Sequence, residues 1–472
     1  MSALRRAQAF FPSGTGPVLI PFLDFALFAW YIDSMRNIMK NWMIPVLCGC
    51  ILPVLWGKDA APDPSDPLRA KAESGDVRAQ FHLGNEYFSG TPGRHRDLTL
   101  AAYWFLAASD RGLPEATFNY AICLDRGWGV DRDPYLAAEF YRRASEKGTI
   151  PQAAFNYAMI LKKGIQLSPE EREKWARKKH LEIETDEKKA SEILRQLAEK
   201  GFAPAKTEVA ESLLAANPMP PGYARRAFLL LSEAAADPAA SPKTFRLLAD
   251  CWYGGIGTEP DDEKMIASLQ TASDRGDTAG TLKLAWCLEN GLKTAPDAAR
   301  AFVLYRKTAE AGLSLGQYKV AQAIEQGKYR DPQGVDAVEW YSRAAMQELP
   351  QACLRLGEMA ENGEGRVPKN PKMAMNLYLC AAKKGYARAQ YRLGMIYLRR
   401  DSEAPGGYDP SAAFYWFRQG AQGGDTLCMR ALARCLLEGT GCDKNRGEGI
   451  LWLRRAAENG DILAEEYLKE LH

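Results

Sequence analysis

Small and apolar residues recur along this chain with a helical rather than a strand period. In AQYRLGMIY, residues 389 to 397, Ala389, Leu393, Gly394 and Tyr397 fall at i, i+4, i+5 and i+8 and gather on one side of a helix. The small residue after the leucine returns as Gly84, Ala121, Ala249, Ala285, Gly357 and Ala433, the size restriction expected where two helices approach closely. A glycine-containing loop follows this helix A, as in SGTPG (89 to 93), RGWGV (126 to 130), GGIG (254 to 257), NGEGRV (362 to 367) and EGTG (438 to 441). Helix B then starts near an Asp and carries an Ala three residues before an aromatic or leucine, as in Ala137 and Phe140, Ala301 and Leu304, or Ala337 and Trp340.

The hairpin repeats. Aligning on the glycine after helix B gives Gly75, Gly112, Gly148, Gly201, Asp237, Gly276, Gly312, Glu348, Gly385, Gly424 and Gly460. The intervals are 37, 36, 53, 36, 39, 36, 36, 37, 39 and 36 residues, with Asp237 and Glu348 in place of glycine. A lone hairpin of this size cannot bury its apolar side, so the units must stack. The pattern predicts an all-α, right-handed α/α superhelical solenoid of about ten helix-turn-helix repeats of 36 to 39 residues, one with an insertion, over residues 67–472. Residues 461–472, DILAEEYLKELH, read as a capping helix. The charged insertion near 165–190 reads as a solvated helix or a protruding loop, and NPMPPG (217 to 222) stands where a glycine loop is expected.

Residues 1–60 precede the array and 61–66 link to it. Met39-Lys40-Asn41, an apolar core at 42 to 56 and a polar, proline-rich stretch have the order of a secretory signal. A second apolar run, 17 to 32, is interrupted by Asp24. Two readings stay open: translation from Met35 or Met39 with a signal peptide over 39–60, or a membrane anchor ahead of the array. Leu47-Cys48-Gly49-Cys50 resembles a lipoprotein box and marks Cys50 as a candidate lipidation site. The expected location is exported, periplasmic or secreted, or tethered to a membrane.

Charge and chemistry narrow the function. Outside residues 1–60, 56 basic side chains balance 56 acidic ones, so the electrostatic footprint of nucleic-acid binding is missing. The four histidines lack metal-ligand spacing, and neither a nucleophile elbow nor a phosphate loop occurs, so neither a cofactor nor a catalytic residue is assigned. Cys123, Cys251, Cys287 and Cys435 share one place in helix A, which points to buried thiols; Cys435 with Cys442 is the one local pair considered for a bridge. The position before the core leucine reads His82, Asn119, Asn156, Lys283, Lys319, Arg355 and Arg392. Its basic end, Lys283, Lys319, Arg355 and Arg392, is the candidate partner-binding ladder and would favour an acidic peptide.

The tandem A-x-[YF]-x-L-G-x-x-Y, G-x-G-V, A-x-x-W-Y and A-A-x-x-G submotifs at a 36-residue spacing resemble the Sel-1-like repeat, a relative of the tetratricopeptide repeat. The resemblance implies a non-catalytic adaptor that holds protein or peptide partners on a concave face lined by A helices. A secreted hydrolase or a cell-wall or envelope factor using the repeat groove is the alternative. Some secreted members of that family join a Cys at the end of helix B to another eight residues later; here Cys380 is followed at that spacing by Arg388, so that framework is absent.

Overall fold

The computed structural model describes residues 66–176, 184–292, 296–399 and 407–471. The N-terminal segment, with Cys50 and the signal or anchor readings, lies outside them. Among the described residues every regular element is a helix, 23 in all. The chain divides into two compact units, residues 1–190 and 191–472.

In the first unit, α1 (Pro67–Glu73) precedes the hairpins α2 (Val77–Ser89) with α3 (Leu98–Asp110) and α4 (Pro114–Arg126) with α5 (Pro134–Glu146), then α6 (Pro151–Lys163) and α7 (Pro169–Ala176). The unit boundary falls within α8 (Glu187–Glu199). The second unit continues with five A and B pairs, namely α9 (Ala203–Leu214) with α10 (Tyr223–Ala235), α11 (Pro242–Gly254) with α12 (Asp262–Asp274), α13 (Thr278–Asn290) with α14 (Ala298–Glu310), α15 (Ser314–Glu325) with α16 (Ala337–Met346), and α17 (Pro350–Asn362) with α18 (Pro371–Lys383). It ends in α19 (Ala387–Tyr397) with α20 (Pro410–Gln422), α21 (Thr426–Glu438) with α22 (Arg446–Glu458), and α23 (Ile462–Glu470). Within this unit, A helices of neighbouring repeats touch one another, as α9 with α11, α11 with α13 and α19 with α21.

Local chemistry sets the helix ends. B helices start on an Asp whose carboxylate accepts backbone N–H groups of the first turn, as Asp97, Asp133, Asp261, Asp297, Asp336 and Asp409 do. Several A helices instead start with a proline, Pro114, Pro151, Pro242 or Pro350, where the missing N–H costs nothing. The Cys123, Cys251, Cys287 and Cys435 register is the helix A C-terminus: each carbonyl accepts from a left-handed glycine (Gly127, Gly255, Gly291, Gly439), and each thiol is buried.

The core explains the restricted small position. A Cβ on Gly84 would come within 2.7 Å of the Phe105 ring, one on Gly357 within 2.7 Å of Tyr378, and one on Gly394 would overlap Phe417. The aromatic pressed against helix A therefore lies four residues after the helix B alanine, as in Ala137 and Tyr141, Ala374 and Tyr378, or Ala413 and Phe417, one place later than the sequence pattern suggests.

The two non-glycine register positions are accommodated differently. Glu348 keeps the glycine geometry with φ 56°. Asp237 does not; its side chain accepts from Ala239 N–H at 2.8 Å and its carbonyl from Ala240 N–H at 2.9 Å, and this longer turn delays α11. The 39-residue interval after Asp237 has its origin there.

Most of the described side chains of the charged insertion are exposed, and Trp175 is a marked exception. Trp175 is buried against the Tyr135 ring at 5.4 Å, and Glu171 pairs with Arg132 while accepting from the Ser168 N–H at 2.8 Å. The Trp175 packing and the contacts of Arg132 with Glu171 and the Gln166 carbonyl together hold α7 against the repeat.

Candidate functional site

The ladder register lies on successive A helices, with Lys283 on α13, Lys319 on α15, Arg355 on α17 and Arg392 on α19. Each cation meets a carboxylate of the preceding A helix: Lys283 with Asp250 at 2.5 Å, Lys319 with Glu289 at 2.9 Å, Arg355 with Glu325 at 2.5 Å and Arg392 with Glu358 at 3.3 Å. Arg355 also holds Glu364 at 2.6 Å. Along this row each cation thus faces a carboxylate of the preceding helix, so the four do not stand as unopposed charge.

A tyrosine from helix B completes several of these pairs. Tyr305 donates to Glu289 at 2.7 Å, Tyr341 to Glu325 at 2.7 Å and Tyr378 to Glu361 at 2.8 Å. Burial, and then the neighbouring carboxylate, push all three phenols well above their usual range. Burial acts against the charge of Glu289, yet Tyr305 and Lys319 outweigh it and hold the carboxyl below its ordinary value. The result is a repeated seam of phenol, carboxylate and cation that fastens helix B to its own helix A and to the next one.

The first unit carries the same register with different chemistry. Asn119 and Asn156 stand where the cations stand, Asn85 occupies the place of Asp250 and Glu358, and Asp125 and Tyr141 occupy those of Glu289 and Tyr305. Asn119 Nδ2 donates to Asn85 Oδ1 at 3.2 Å, and Gln152 donates to Asn156 at 3.0 Å. Burial first, and Asp125 next, raise the Tyr141 phenol to about 12, while Asn156 also reaches it. Here neutral amides replace the cations, while a carboxylate and a phenol, Asp125 and Tyr141, remain.

A groove of about 920 Å³ opens along this amide row, with α2, α4 and α6 supplying Asn85, Asn119 and Asn156 and with Phe88, Phe118 and Trp128 forming apolar wall. Phe88 and Trp128 pack at 5.4 Å. Arg126 and Lys163, at the ends of α4 and α6, lie at its rim, and Ile165 and Gln166 from the start of the insertion close one side. Beyond their mutual bond, the side chains of Asn85 and Asn119 make no hydrogen bond among the described residues. The Asn85 NH2 group, the second N–H of Asn119 and the Asn119 carbonyl oxygen thus have no protein partner within an apolar wall, a combination that matches the N–H and C=O of an extended peptide.

The second unit has a groove of about 820 Å³ over α19, α21 and α23, lined by Tyr391, Met395, Leu427, Leu463 and Tyr467. Its cations are again matched, Arg430 by Asp461 at 2.6 Å and Arg434 by Glu438 at 3.0 Å.

Among the described residues no group of three or more His, Cys, Asp or Glu side chains is placed to hold a metal ion, and no helix is long and apolar enough to cross a membrane. Burial raises the Cys123 and Cys251 thiols to about 11 and Cys435 to about 12, which leaves little nucleophilic thiolate at neutral pH. Of the groove residues, Asn119 and Asn156 belong to the register visible in the sequence, whereas Asn85, Gln152 and Trp128 escape it. The position after the small residue (Asn85, Asp250, Glu358) carries the missing signal, because it faces the ladder position of the next repeat.

These stacked hairpins define the class of protein, an all-α solenoid built from tandem helix-turn-helix units. The chain belongs to the Sel1 repeat family, with the Sel1 repeat matched at residues 77–113, 114–149, 279–313, 314–349, 350–386, 387–425 and 426–461, more than half of the chain. The stretch between the second and third matches contains the insertion and the altered Asp237 turn, yet α9 to α12 still form paired hairpins there. Among solved structures, the chain is similar to a protective antigen present in uropathogenic Escherichia coli strains and displaying an SLR fold. The two are 28% identical, the match covers 87% of this chain and 82% of that one, and the TM-score is 0.61. A Sel1 repeat protein from Oxalobacter formigenes matches at 19% identity over 99% of each chain with a TM-score of 0.46. Sel1 repeat arrays are generally protein-interaction modules and typically non-catalytic.

Proposed function

We propose that this protein is a non-catalytic scaffold that binds another protein along its A-helix face, and that the amide-lined groove of the first unit is the principal contact. The occupant is an extended peptide segment. Its backbone pairs with the free amide groups of Asn85 and Asn119, an apolar side chain packs on Phe88 and Trp128, and an acidic residue meets Arg126 and Lys163 at the rim.

The observation that carries this reading is the change of chemistry along one register. From Lys283 to Arg392 the A-helix cations already have partners on the neighbouring helix, whereas Asn85 and Asn119 retain unused hydrogen-bonding capacity beside a half-buried apolar wall. A polar group already matched within the fold gains little by meeting a partner, and an unmatched one gains more. An exported or membrane-tethered location, supplied by residues 1–60, is part of the proposal and is supported by the order of charged, apolar and polar segments there.

Affinity capture with the full chain, compared with the Asn85→Ala, Asn119→Ala double variant, tests the assignment. The expected outcome is a partner retained by the parent and lost by the variant at unchanged thermal stability. Equal capture by both would remove the groove from the contact.

A further inference from the structure

The thiols of Cys353 on α17 and Cys380 on α18 lie 3.4 Å apart, although 27 residues separate them in sequence. We infer that they form a redox site that reacts with a low-molecular-weight disulfide such as oxidised glutathione and, once oxidised, bonds the two helices of this repeat to each other.

Three observations support the pair. Cys353 occupies the place where other repeats carry Gln80, Gln317 and Gln390, whose amides donate to the carbonyls of Ala72, Ala309 and Ala382. Its sulfur lies 3.7 Å from the corresponding carbonyl of Ala345, so the side chain is anchored on the face that meets Cys380. Second, the two sulfurs already touch at 3.4 Å between the two helices of one packed hairpin. Third, the two residues differ in access: Cys353 is fully buried and Cys380 is half-buried. Lys384, one turn after Cys380 and ion-paired with Glu348 at 2.8 Å, places a positive charge close to both thiols.

The chemistry follows from that asymmetry. The Cys380 thiolate attacks one sulfur of oxidised glutathione, forming a mixed disulfide and releasing one glutathione thiolate. Cys353 then gives its proton to solvent and attacks the Cys380 sulfur, releasing the second glutathione. The protein loses two protons and two electrons, and one oxidised glutathione takes them up to become two reduced ones. Burial raises the Cys353 thiol to about 12, so Cys380 is the residue that meets the external disulfide and Cys353 the one that resolves it. This pairing joins a helix A to its own helix B, unlike the bridge from helix B to the residue eight places later that the family resemblance suggests. Among the described residues the Cys442 sulfur meets the carbonyl of Cys435 at 3.5 Å rather than a second thiol.

The full chain, equilibrated in glutathione buffers of increasing oxidised fraction, acid-quenched and peptide-mapped, tests the site. The expected product joins the peptides containing Cys353 and Cys380. In Cys353→Ala, glutathione accumulates on Cys380; in Cys380→Ser, Cys353 stays unmodified. Reduced-state thermal melts of both variants check that the fold persists. Oxidation should also slow amide exchange by local opening of α17 and α18 on the order of a hundredfold, as closing a loop of this length predicts. Glutathione persisting on Cys380 of the parent chain beside a free Cys353, or oxidation confined to Cys435 and Cys442, or both thiols remaining free under the most oxidising buffer, would each overturn the inference.

Discussion

Asn119 and Asn85 meet across α4 and α2 at 3.2 Å in the same register in which Lys283 and Asp250 meet across α13 and α11 at 2.5 Å. One contact is amide to amide and the other is an ion pair, so a single structural position serves two purposes. Exchanging the first for the second should separate them. The Asn85→Asp, Asn119→Lys double variant is expected to change stability by less than about 1 kcal/mol, because a partly exposed ion pair is worth little. Partner capture should nevertheless be lost, since the free amide groups are gone. Denaturant titration and affinity capture together check both halves.

Glu348 holds a left-handed backbone with φ 56°, where nine of the other register positions have glycine. A side chain in that conformation costs roughly 1–2 kcal/mol. Its ion pair with Lys384 is exposed and compensates for only part of this. Glu348→Gly is therefore expected to raise stability by about 0.5–1 kcal/mol in urea unfolding. A fall would show that Lys384 contributes more than an exposed pair ordinarily does.

Gly394 and Leu393 test the hairpin core. A methyl group at 394 collides with the Phe417 ring, so Gly394→Ala is expected to cost about 1–3 kcal/mol despite the better helix propensity of alanine. Leu393 is fully buried, and Leu393→Ala should cost about 2–5 kcal/mol. Chemical unfolding reads both, and a loss below about 0.5 kcal/mol at Leu393 would contradict its place in the core.

The seam also predicts a pH dependence. Glu289 has its pKa lowered in the folded chain, so between the folded and unfolded values the unfolded chain binds the extra proton and stability rises with pH. The contribution is present above the ordinary glutamate value of about 4.3 and is lost as the pH falls through the lower folded value. Glu289→Gln should therefore melt below the parent near neutrality, and the gap should narrow on acidification. A gap that stays constant with pH would mean that the carboxylate charge contributes nothing.

Much of the fold is legible in the sequence because it repeats. The 36-residue period, the small position and the cysteine register each recur often enough for the residues alone to mark helix ends and core faces. Features that depend on a partner about one repeat away are harder to see. The cations of the ladder are visible as a row, but their carboxylates occupy two different places, one after the small residue at Asp250 and Glu358 and a turn later at Glu289 and Glu325. Cys353 and Cys380 escape local spacing tests because the bond would run between antiparallel helices. In the insertion, charge dominates the composition, while Trp175 is buried against Tyr135 and Glu171 is held by Arg132 from an earlier repeat. The groove itself is a break in the row of ion pairs, and only the placement of both helices reveals it.

The central claim is that a partner's extended segment lies in the first unit's groove. The most direct measurement replaces Met159, which lines the groove, with a photo-reactive amino acid, and makes the same replacement at Leu451, exposed on a B helix of the second unit. The full chain is then irradiated in its native surroundings and cross-linked peptides are mapped by mass spectrometry. The account predicts one partner peptide attached at position 159 and none at 451. Attachment at 451 with none at 159 would contradict it.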